Sequence, residues 1–472
     1  MTAIDWVKLA ILVPLFGVAA PLAGAWLKGR ERWQQAAFAL MCFMTINGLM
    51  GPADWGLTVA SIETYRGHTK GYHFFFNYAL AIALIVARRL EDPRGFRWLP
   101  PLLPAYLGYC GLSLLSGFNA PRTNLVFMAA HKMVFASVLL IATFNVLRTT
   151  GHLQFFVRVM AGVMLWEALV CLKLKYVDGM YQVRGTFEHQ NPLAMYSICI
   201  GMPLLAAGLG PAFRGGNRAL AGFLACAIIV QCTLSRAALA AFAVGTVGVM
   251  LMSLLEKPTG RRLLTAAGMT VVGAVGLLLT VDTIVARFND RGNQASGELR
   301  EVMKNACREM VKDHPLGIGW NNYALVVNPP YRYAEIYYDW SRDRGMRVDE
   351  TKANSVVESH YYLLLAENGY AGLAGWLLVI SLGLWRNLRA FIAFRHSFLR
   401  CLSLGIAAGC ALNYLQSTLE RVLTQPRNLM LWLILMGVVG RIEILRRSRR
   451  RASKTEPSIP AEPHDSLAAA SS

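Results

Sequence analysis

The chain contains one long apolar stretch after another, most of them close to the length of a membrane-crossing helix. A single soluble core does not need such stretches, whereas a bilayer with a hydrocarbon core about 30 Å thick does. The backbone within them has to be helical, because lipid offers it no hydrogen-bond partners. Only 16% of the 472 residues are charged, against about 25% in soluble domains. The sequence therefore predicts an all-α polytopic membrane protein.

Thirteen segments are apolar enough to be candidate spans, and the short ones at 35–50 and 219–233 are the weakest of them. We therefore expect about 12 transmembrane helices. The first segment, from Trp6 to Leu27, lacks a basic leader and exceeds the apolar part of a signal peptide, so we interpret it as a retained span. The candidate spans are residues 6–27, 35–50, 72–87, 98–117, 125–147, 155–174, 192–210, 219–233, 237–255, 263–286, 359–385, 400–417 and 429–445.

Basic residues are concentrated in alternate connections between these spans, which indicates that those connections are cytoplasmic. The formal net charge of +19 thus reflects topology and does not indicate nucleic-acid binding. The basic clusters lie at 28–32, 88–97, 214–218, 257–262, 386–400 and 441–454. The connections expected to face outward are 51–71, 118–124, 175–191, 234–236, 287–358 and 418–428.

The connection from Arg287 to Glu358 is 72 residues long and carries 11 basic and 11 acidic residues. A loop of this length in a compact protein is usually structured or functional. Within it, Leu299, Met303 and Met310 recur at helical spacing, which predicts an amphipathic helix lying on the membrane or on the other spans. The predicted division of the chain is 1–286 as N-terminal transmembrane helices, 287–358 as a periplasmic loop with short helices, 359–445 as C-terminal transmembrane helices and 446–472 as a disordered cytoplasmic tail.

Arginines are expected to be rare in outward connections, so the exceptions are informative. Arg184 precedes a span, Arg236 occupies a tight turn, and Arg421 and Arg427 lie close together in the last outward connection. An isolated arginine at the membrane rim can extend to the lipid headgroups without any other role. Several arginines on one face would instead bind an anionic ligand, because guanidinium makes bidentate contacts to phosphate oxygens. Both interpretations remain open at this point.

His360 lies where the long connection enters the next span. A histidine titrates near neutral pH and can act as a general base, although an interfacial or helix-capping role is the alternative. Glu367 follows two turns deeper near the same helix face, where it could orient an arginine or help to assemble a site. His131 and Lys132, with Glu167 in the next span, are unusual membrane charges that either form a structural pair or extend the site.

Several short motifs between about 180 and 375 resemble those of the O-antigen ligase and polymerase superfamily, in the same order. Each motif alone is weak, but the ordered set is fairly specific. Tyr361 departs from the pattern, because relatives often have Asn after the histidine, and Glu188-His189-Gln190 is an unusual insertion. The motifs are Arg184-Gly185-Thr186-Phe187 with Asn191-Pro192, Ser235-Arg236, Asp313-His314-Pro315-Leu316-Gly317-Ile318-Gly319, His360-Tyr361-Tyr362-Leu363, Glu367-Asn368-Gly369 and Gly372-Leu373.

This resemblance implies an inverting, metal-independent glycosyltransferase with a GT-C-like membrane fold and no cofactor. It implies undecaprenyl-diphosphate-linked glycan as donor and lipid A–core as acceptor, in the bacterial inner membrane with the site facing the periplasm. His360 would be the general base that activates the acceptor hydroxyl. The predicted diphosphate-binding residues are Arg184, Arg236, Arg421 and Lys132, and the predicted supporting residues are Glu367, His131 and Ser235.

Four other functions remain to be weighed. An O-antigen polymerase would use the same donor twice, but polymerases of this superfamily generally have two large outer loops and this chain has one. A protein O-oligosaccharyltransferase would differ in its acceptor, and a transporter of lipid-linked sugars would use the arginines to line a path. A metal-dependent glycosyltransferase is a further alternative, although Asp54 and Glu63 are too isolated for a convincing metal site. The nine cysteines show no metal-ligand spacing and are interpreted as small buried hydrophobes.

Overall fold

The structure is a computed structural model that describes residues 2–46, 55–211, 213–289, 292–345 and 356–455. Asp54 and residues 456–472 of the predicted tail lie outside these ranges. The last helix continues to Thr455, so the first ten residues assigned to the tail, 446–455, are helical.

The described part of the chain is built almost entirely from helices. Before the long connection these are α1 (Ala3–Pro14), α2 (Ala20–Leu27), α3 (Glu31–Phe43), α4 (Phe76–Glu91), α5 (Leu103–Leu114), α6 (Thr123–Val146), α7 (Thr150–Tyr176), α8 (Gln190–Gly208), α9 (Gly216–Thr233), α10 (Arg236–Glu256) and α11 (Gly260–Asn289). From the long connection onwards they are α12 (Gly292–Asp313), α13 (Tyr323–Val326), α14 (Tyr333–Asp343), α15 (His360–Ala393), α16 (Phe398–Gln416) and α17 (Pro426–Thr455). Short 3₁₀ turns cover Leu115–Asn119 and Val422–Thr424, and a π turn at Leu15–Ala19 joins α1 to α2.

Among the described residues, nine helices are long and apolar enough to cross a membrane. They confirm a polytopic all-α membrane protein, but they do not confirm the predicted number of about twelve. The predicted span at 263–286 lies within α11, which is not among the nine. The predicted spans at 35–50, 72–87 and 98–117 correspond to helices of only 13, 16 and 12 residues. Such helices rise about 18–24 Å, which is less than the hydrocarbon thickness. The nine are Ala3–Leu27, Thr123–Val146, Thr150–Tyr176, Gln190–Gly208, Gly216–Thr233, Arg236–Glu256, His360–Ala393, Phe398–Gln416 and Pro426–Arg451.

A small antiparallel hairpin replaces part of the first predicted outward loop. Strand β1 (Gly56–Val59) pairs with β2 (Tyr72–Phe75), with Gly56 opposite Phe75. The first four residues of the predicted span at 72–87 are therefore strand, and α4 begins only at Phe76. The strands enclose a connection that carries His68 into the interior.

Helix α8 forms the centre of the bundle, and every one of its residues from Pro192 to Gly208 is buried. Helix α16 packs directly on it through two glycines four residues apart. A Cβ atom on Gly405 would lie 2.5 Å from the Pro203 Cα atom, and one on Gly409 would lie 2.4 Å from the Cys199 carbonyl oxygen. Small residues at this spacing allow helices to approach closely, which supplies the packing that lipid-embedded helices depend on.

The connections predicted to share one side of the membrane contact each other. At one end, the Tyr65 hydroxyl donates to the carbonyl of Asn321, which joins the hairpin to the long connection. At the other end, Arg400 Nε lies 3.0 Å from Glu256 Oε1, which joins two predicted basic clusters. We call these the His360 end and the Arg446 end, after residues that lie at each.

The long connection folds onto the bundle as predicted from its helical spacing. In α12, Met303, Ala306 and Met310 are buried and pack with Leu363 and Ala366 at the start of α15. The predicted amphipathic helix is therefore confirmed, and it lies against another helix. All nine cysteines are buried and none is in a disulfide, in agreement with their interpretation as small hydrophobes.

The close contact between α8 and α16 predicts the effect of Gly409→Ala. The added methyl group would overlap the Cys199 carbonyl, so we expect the free energy of unfolding to fall by about 1–3 kcal/mol. Thermal unfolding of the purified protein in detergent measures this. The control is Gly248→Ala in α10, where an added Cβ meets no heavy atom within 4 Å and stability should be unchanged or slightly higher. Equal loss in both variants would contradict the close-packing argument.

Candidate active site

His360 is the first residue of α15, and its side chain is only 2% exposed. Its backbone N–H donates to the Ser417 carbonyl at 2.9 Å, which ties the start of α15 to the end of α16. The imidazole ring lies edge-on to Trp376, with ring centroids 5.3 Å apart. Within the described ranges, neither ring nitrogen has a hydrogen-bond partner. A buried polar ring without partners is costly to maintain, which makes His360 a candidate for a functional role.

The segment that carries His360 is separated from the rest of α15 by a break at Gly369, which has φ +65° and ψ −168°. The broken backbone pairs instead with the Pro315–Gly319 segment. The carbonyls of Ala366 and Glu367 accept hydrogen bonds from Ile318 and Gly319 at 2.9 and 3.1 Å. A Cβ on Gly369 would lie 2.2 Å from the Pro315 carbonyl oxygen, so only glycine fits at the break. The motifs around 315 and 369 therefore form one structural unit.

A buried chain of polar groups runs from Lys132 through His68 to Glu367. Lys132 Nζ lies 3.2 Å from His68 Nδ1 and donates to the Thr424 carbonyl at 3.0 Å. His68 Nε2 lies 3.0 Å from Glu367 Oε2. An ammonium group can only donate, so Nδ1 accepts from Lys132 and Nε2–H donates to the carboxylate. Burial lowers the pKa of His68, which agrees with this neutral form of the ring.

The remaining carboxylate oxygen of Glu367 accepts from the backbone N–H of Tyr323 at 3.2 Å. Glu367 therefore joins the His68 connection to the long connection, and its direct partner is His68 and not an arginine. The sequence analysis missed His68, because a single histidine in an outward connection has no spacing or neighbouring motif that distinguishes it.

A cleft of about 350 Å³ opens beside His68, and several cationic side chains line it. Arg427 lies over the ring of Phe75 at 4.9 Å. Burial lowers the pKa of Arg421, and the nearby charges of Glu358, Glu367 and Glu420 oppose that change. We call this the cationic cleft. Its lining residues are Thr58, Ser61, Gly67, His68, Lys70, His73, Phe75, Phe187, Glu188, Pro192, Arg421, Thr424, Gln425, Pro426 and Arg427.

His360 lies within electrostatic range of Lys132, His68 and Arg421, but it is not in the lining of the cationic cleft in the part of the chain that the structure describes. The predicted base, one predicted diphosphate-binding arginine and Lys132 therefore lie in the same region of the fold. The cleft lies at the start of α17, which is one end of a candidate membrane span.

The loop that carries Arg184 is held by Glu167 of α7. The carboxylate accepts from the backbone N–H of Thr186 at 2.8 Å and from its hydroxyl at 2.9 Å. Gly185 has φ +55°, and a Cβ there would overlap the same carboxylate. The interpretation of Glu167 as a partner of His131 and Lys132 is thus wrong, since Glu167 positions this loop instead.

Arg184 is exposed on this loop, and Arg236 is half-buried at the start of α10. The N–H of Val183 donates to the Cys232 carbonyl at 3.2 Å, so the two arginines lie on neighbouring connections. Neither belongs to the lining of the cationic cleft in the part of the chain that the structure describes. The structure therefore places both at the His360 end without bringing them against His360.

The predicted supporting residues Ser235 and His131 have structural contacts. The carbonyl of Ser235 accepts from Leu239 at 2.8 Å at the start of α10. The His131 ring packs against Phe74 and Phe135, with centroids 4.8 and 5.3 Å away. His131 points away from the buried polar groups of Lys132, His68 and Glu367. Lys132 is the next residue in the helix, but successive helical residues differ by about 100° in direction.

An acidic rim lies beside the cleft, next to the unusual motif after Phe187. His189 caps α8 by accepting from the Asn191 N–H at 3.3 Å, and the Asn191 side chain donates to Glu420 at 2.7 Å. Burial, aided by the charge of Glu358, raises the pKa of Glu420 to about 7. Arg300 of α12 forms an ion pair with Glu358 and lies 3.9 Å from Glu420. The rim therefore links the long connection to the cleft.

Among the described residues, no cluster of three His, Cys, Asp or Glu side chains could hold a metal ion. Glu63, which the metal-dependent alternative required, is exposed in the connection after β1.

These features define a polytopic helical membrane protein with a cation-lined cleft at one end of the bundle and, among the described residues, a buried histidine nearby whose ring nitrogens have no hydrogen-bond partner. Residues 221–377, about a third of the chain, match the family model described as O-Antigen ligase, so this part of the chain is similar to that family. The matched region includes Arg236, His360 and Glu367, whereas Lys132, Arg184 and Arg421 lie outside it. No curated protein matches the chain. Members of this family are membrane glycosyl-transfer enzymes of the ligase or polymerase type.

The raised pKa of Glu420 predicts a pH-dependent stability. The unfolded carboxyl ionises near its ordinary pKa of about 4.5 and the folded one near 7, so the folded state binds more protons between these values. Stability should therefore fall by about 3 kcal/mol as pH rises from 4.5 through 7. Glu420→Gln should flatten this dependence in thermal unfolding measured from pH 5 to 8. Glu335→Gln, an exposed change in α14, should leave the wild-type slope in place. A wild-type slope in the Glu420 variant would refute the assignment.

Proposed function

We propose that the protein is an O-antigen ligase that transfers glycan from undecaprenyl diphosphate to lipid A–core. The reaction would take place on the periplasmic face of the bacterial inner membrane, at the His360 end of a GT-C-like bundle. The observation that carries this proposal is the buried imidazole of His360, whose two nitrogens have no hydrogen-bond partner among the described residues and which lies within electrostatic range of Lys132, His68 and Arg421. The family match of residues 221–377 supports the same class of reaction.

In the proposed reaction, the acceptor hydroxyl of the core oligosaccharide attacks C1 of the donor sugar. A new C1–O bond forms as the bond from C1 to the diphosphate oxygen breaks, and the diphosphate leaves with the bonding electrons. Attack comes from the face opposite the leaving group, so the configuration at C1 is inverted. The hydroxyl proton passes to a ring nitrogen of His360 as the new bond forms.

Positive charge in the cleft would stabilise the leaving diphosphate as its negative charge grows. Arg421 lines the cleft and Lys132 contacts His68, whereas Arg184 and Arg236 lie on two neighbouring connections outside the lining of the described cleft. These side chains would supply the charge that a divalent metal supplies in other glycosyltransferases, so the proposed reaction is metal-independent. The buried contacts from Lys132 through His68 to Glu367 would hold these cationic side chains in place.

An O-antigen polymerase is the main alternative, because it would use the same donor site. The single long connection between α11 and α15 favours the ligase, since polymerases of the superfamily generally have two large outer loops. Reconstitution of the purified protein with lipid-linked glycan and lipid A–core distinguishes them. Glycan on the core supports the ligase, and longer lipid-linked chains would replace it with the polymerase.

His360→Ala should reduce glycan transfer by about 10²–10⁴-fold, because the general base is removed. The assay uses purified protein with chelator present, and thermal unfolding verifies that the variant folds. The matched control is His396→Ala, an exposed histidine between α15 and α16 at the Arg446 end, which should retain full activity. Full transfer by the His360 variant would overturn its assignment as base.

Replacement of Arg184, Arg236 or Arg421 by Lys should lower turnover sharply, because a point charge cannot replace the bidentate guanidinium fork. Steady-state kinetics with varied donor concentration measures this. Arg395→Lys, in the basic cluster before α16, is the control that should change neither kcat nor KM. Unchanged donor use in all three variants would support simple contact of these arginines with headgroups.

A further inference from the structure

Two consecutive asparagines, Asn321 and Asn322, follow the Pro315–Gly319 segment just before α13, and both side chains are fully buried. Asn321 has φ +61°, in the left-handed region that asparagine tolerates better than most residues. A buried residue in this conformation persists only where the surrounding contacts impose it. The contacts of Asn321 therefore indicate what the position is for.

The side chain of Asn321 holds the backbone of Thr69 by two hydrogen bonds. Its Oδ1 accepts from the Thr69 N–H at 3.1 Å, and its Nδ2 donates to the Thr69 carbonyl at 2.7 Å. A side-chain amide has one acceptor and one donor group, so it pairs with a peptide backbone as a neighbouring strand would. Thr69 is buried. This pairing fixes part of the connection between β1 and β2 against the long connection.

Thr69 lies between two residues that line the cationic cleft, His68 and Lys70. Neither Thr69 nor Asn321 belongs to the lining of the described cleft, so the pairing supports this wall from outside it. The Thr69 hydroxyl oxygen also lies 3.0 Å from His68 Nδ1. The position of Thr69 therefore determines where its two neighbours enter the cleft.

The contacts around Asn321 form a closed circuit through His68. The His68 ring donates to Glu367, and Glu367 accepts from the N–H of Tyr323 at 3.2 Å. Tyr323 lies two residues after Asn321, which returns to Thr69 beside His68. His68 is therefore held through its side chain and through the backbone of its neighbour.

Asn322 makes the same kind of contact with a different connection. Its Oδ1 accepts from the Arg122 N–H at 3.1 Å, and its Nδ2 donates to the Arg122 carbonyl at 3.3 Å. Arg122 belongs to the connection at 118–124, none of which lines the cleft in the part of the chain that the structure describes. One asparagine thus holds a wall of the cleft, and its neighbour holds a connection outside it.

We propose that Asn321 is a positioning residue of the donor site, which holds His68 and Lys70 in the wall of the cationic cleft. The proposal rests on the proposed function, in which this cleft receives the donor diphosphate. Cationic and polar groups stabilise a diphosphate best when they are already in place. His360 is held separately by the Ser417 carbonyl, so loss of the Asn321 pairing weakens donor binding more than the chemical step.

Glycan transfer by purified full-length Asn321→Gly and Asn322→Gly tests this proposal, with the concentration of undecaprenyl-diphosphate-linked glycan varied. Glycine adopts a positive φ freely, so the Asn321 variant loses the pairing without added strain. We expect its donor KM to rise about tenfold, as loss of one or two hydrogen bonds implies, and its kcat to change less than about twofold. Asn322→Gly should lose similar thermal stability and keep the wild-type KM.

An equal rise of KM in both variants would show general loosening of the long connection and refute the proposal. A wild-type KM in the folded Asn321 variant would refute it as well. Should that variant fail to fold, Asn321→Asp keeps the acceptor for the Thr69 N–H and removes the donor to its carbonyl. A several-fold rise in donor KM then supports the proposal, and a wild-type value contradicts it.

Amide hydrogen exchange separates this proposal from the proposed function. Exchange should become faster at residues 62–70 in Asn321→Gly and at 118–124 in Asn322→Gly, because each variant releases a different connection. The same exchange pattern in both variants would contradict the specific role of Asn321. The expected pattern in a protein whose wild type transfers no glycan would instead overturn the proposed function.

Discussion

The arrangement of the His360 end depends on a short backbone pairing between the Pro315–Gly319 segment and the break in α15 at Gly369. In lipid, a broken helix leaves N–H and C=O groups that must find partners within the protein. Here the long connection supplies them, and that requirement fixes where it docks. The docked connection brings Tyr323 to Glu367, and Glu367 in turn holds His68. One backbone constraint therefore positions the polar groups beside the cleft.

The His360 end and the Arg446 end of the bundle differ in the arrangement of their charged side chains. At the His360 end, cations lie in a cleft next to a rim of carboxylates that includes Glu358 and Glu420. At the Arg446 end, five arginines of α15 and α17 surround a cavity, and Glu443 forms ion pairs with two of them.

Much of the fold was predictable because lipid imposes a simple rule on sequence. Long apolar segments had to be helices, and the spacing of Met303 and Met310 predicted α12 correctly. The number of spans was less predictable, because α3, α4 and α5 are apolar yet too short to cross the hydrocarbon core. Their length depends on where neighbouring elements end them, as when the hairpin residues 72–75 delay the start of α4. Apolar composition does not encode such tertiary limits.

The sequence alone determined the class of protein, the position of His360 at the entry to a span and the presence of arginines where topology disfavours them. Periodicity, hydropathy and short motifs are local properties, so they can be read along the chain. Only the tertiary structure decided that His68 joins Lys132 to Glu367 and that Glu167 holds the Arg184 loop. These contacts join residues that are 64, 299 and 19 positions apart, on different elements. Packing alone determines such partners, because no local pattern specifies which loop meets which helix.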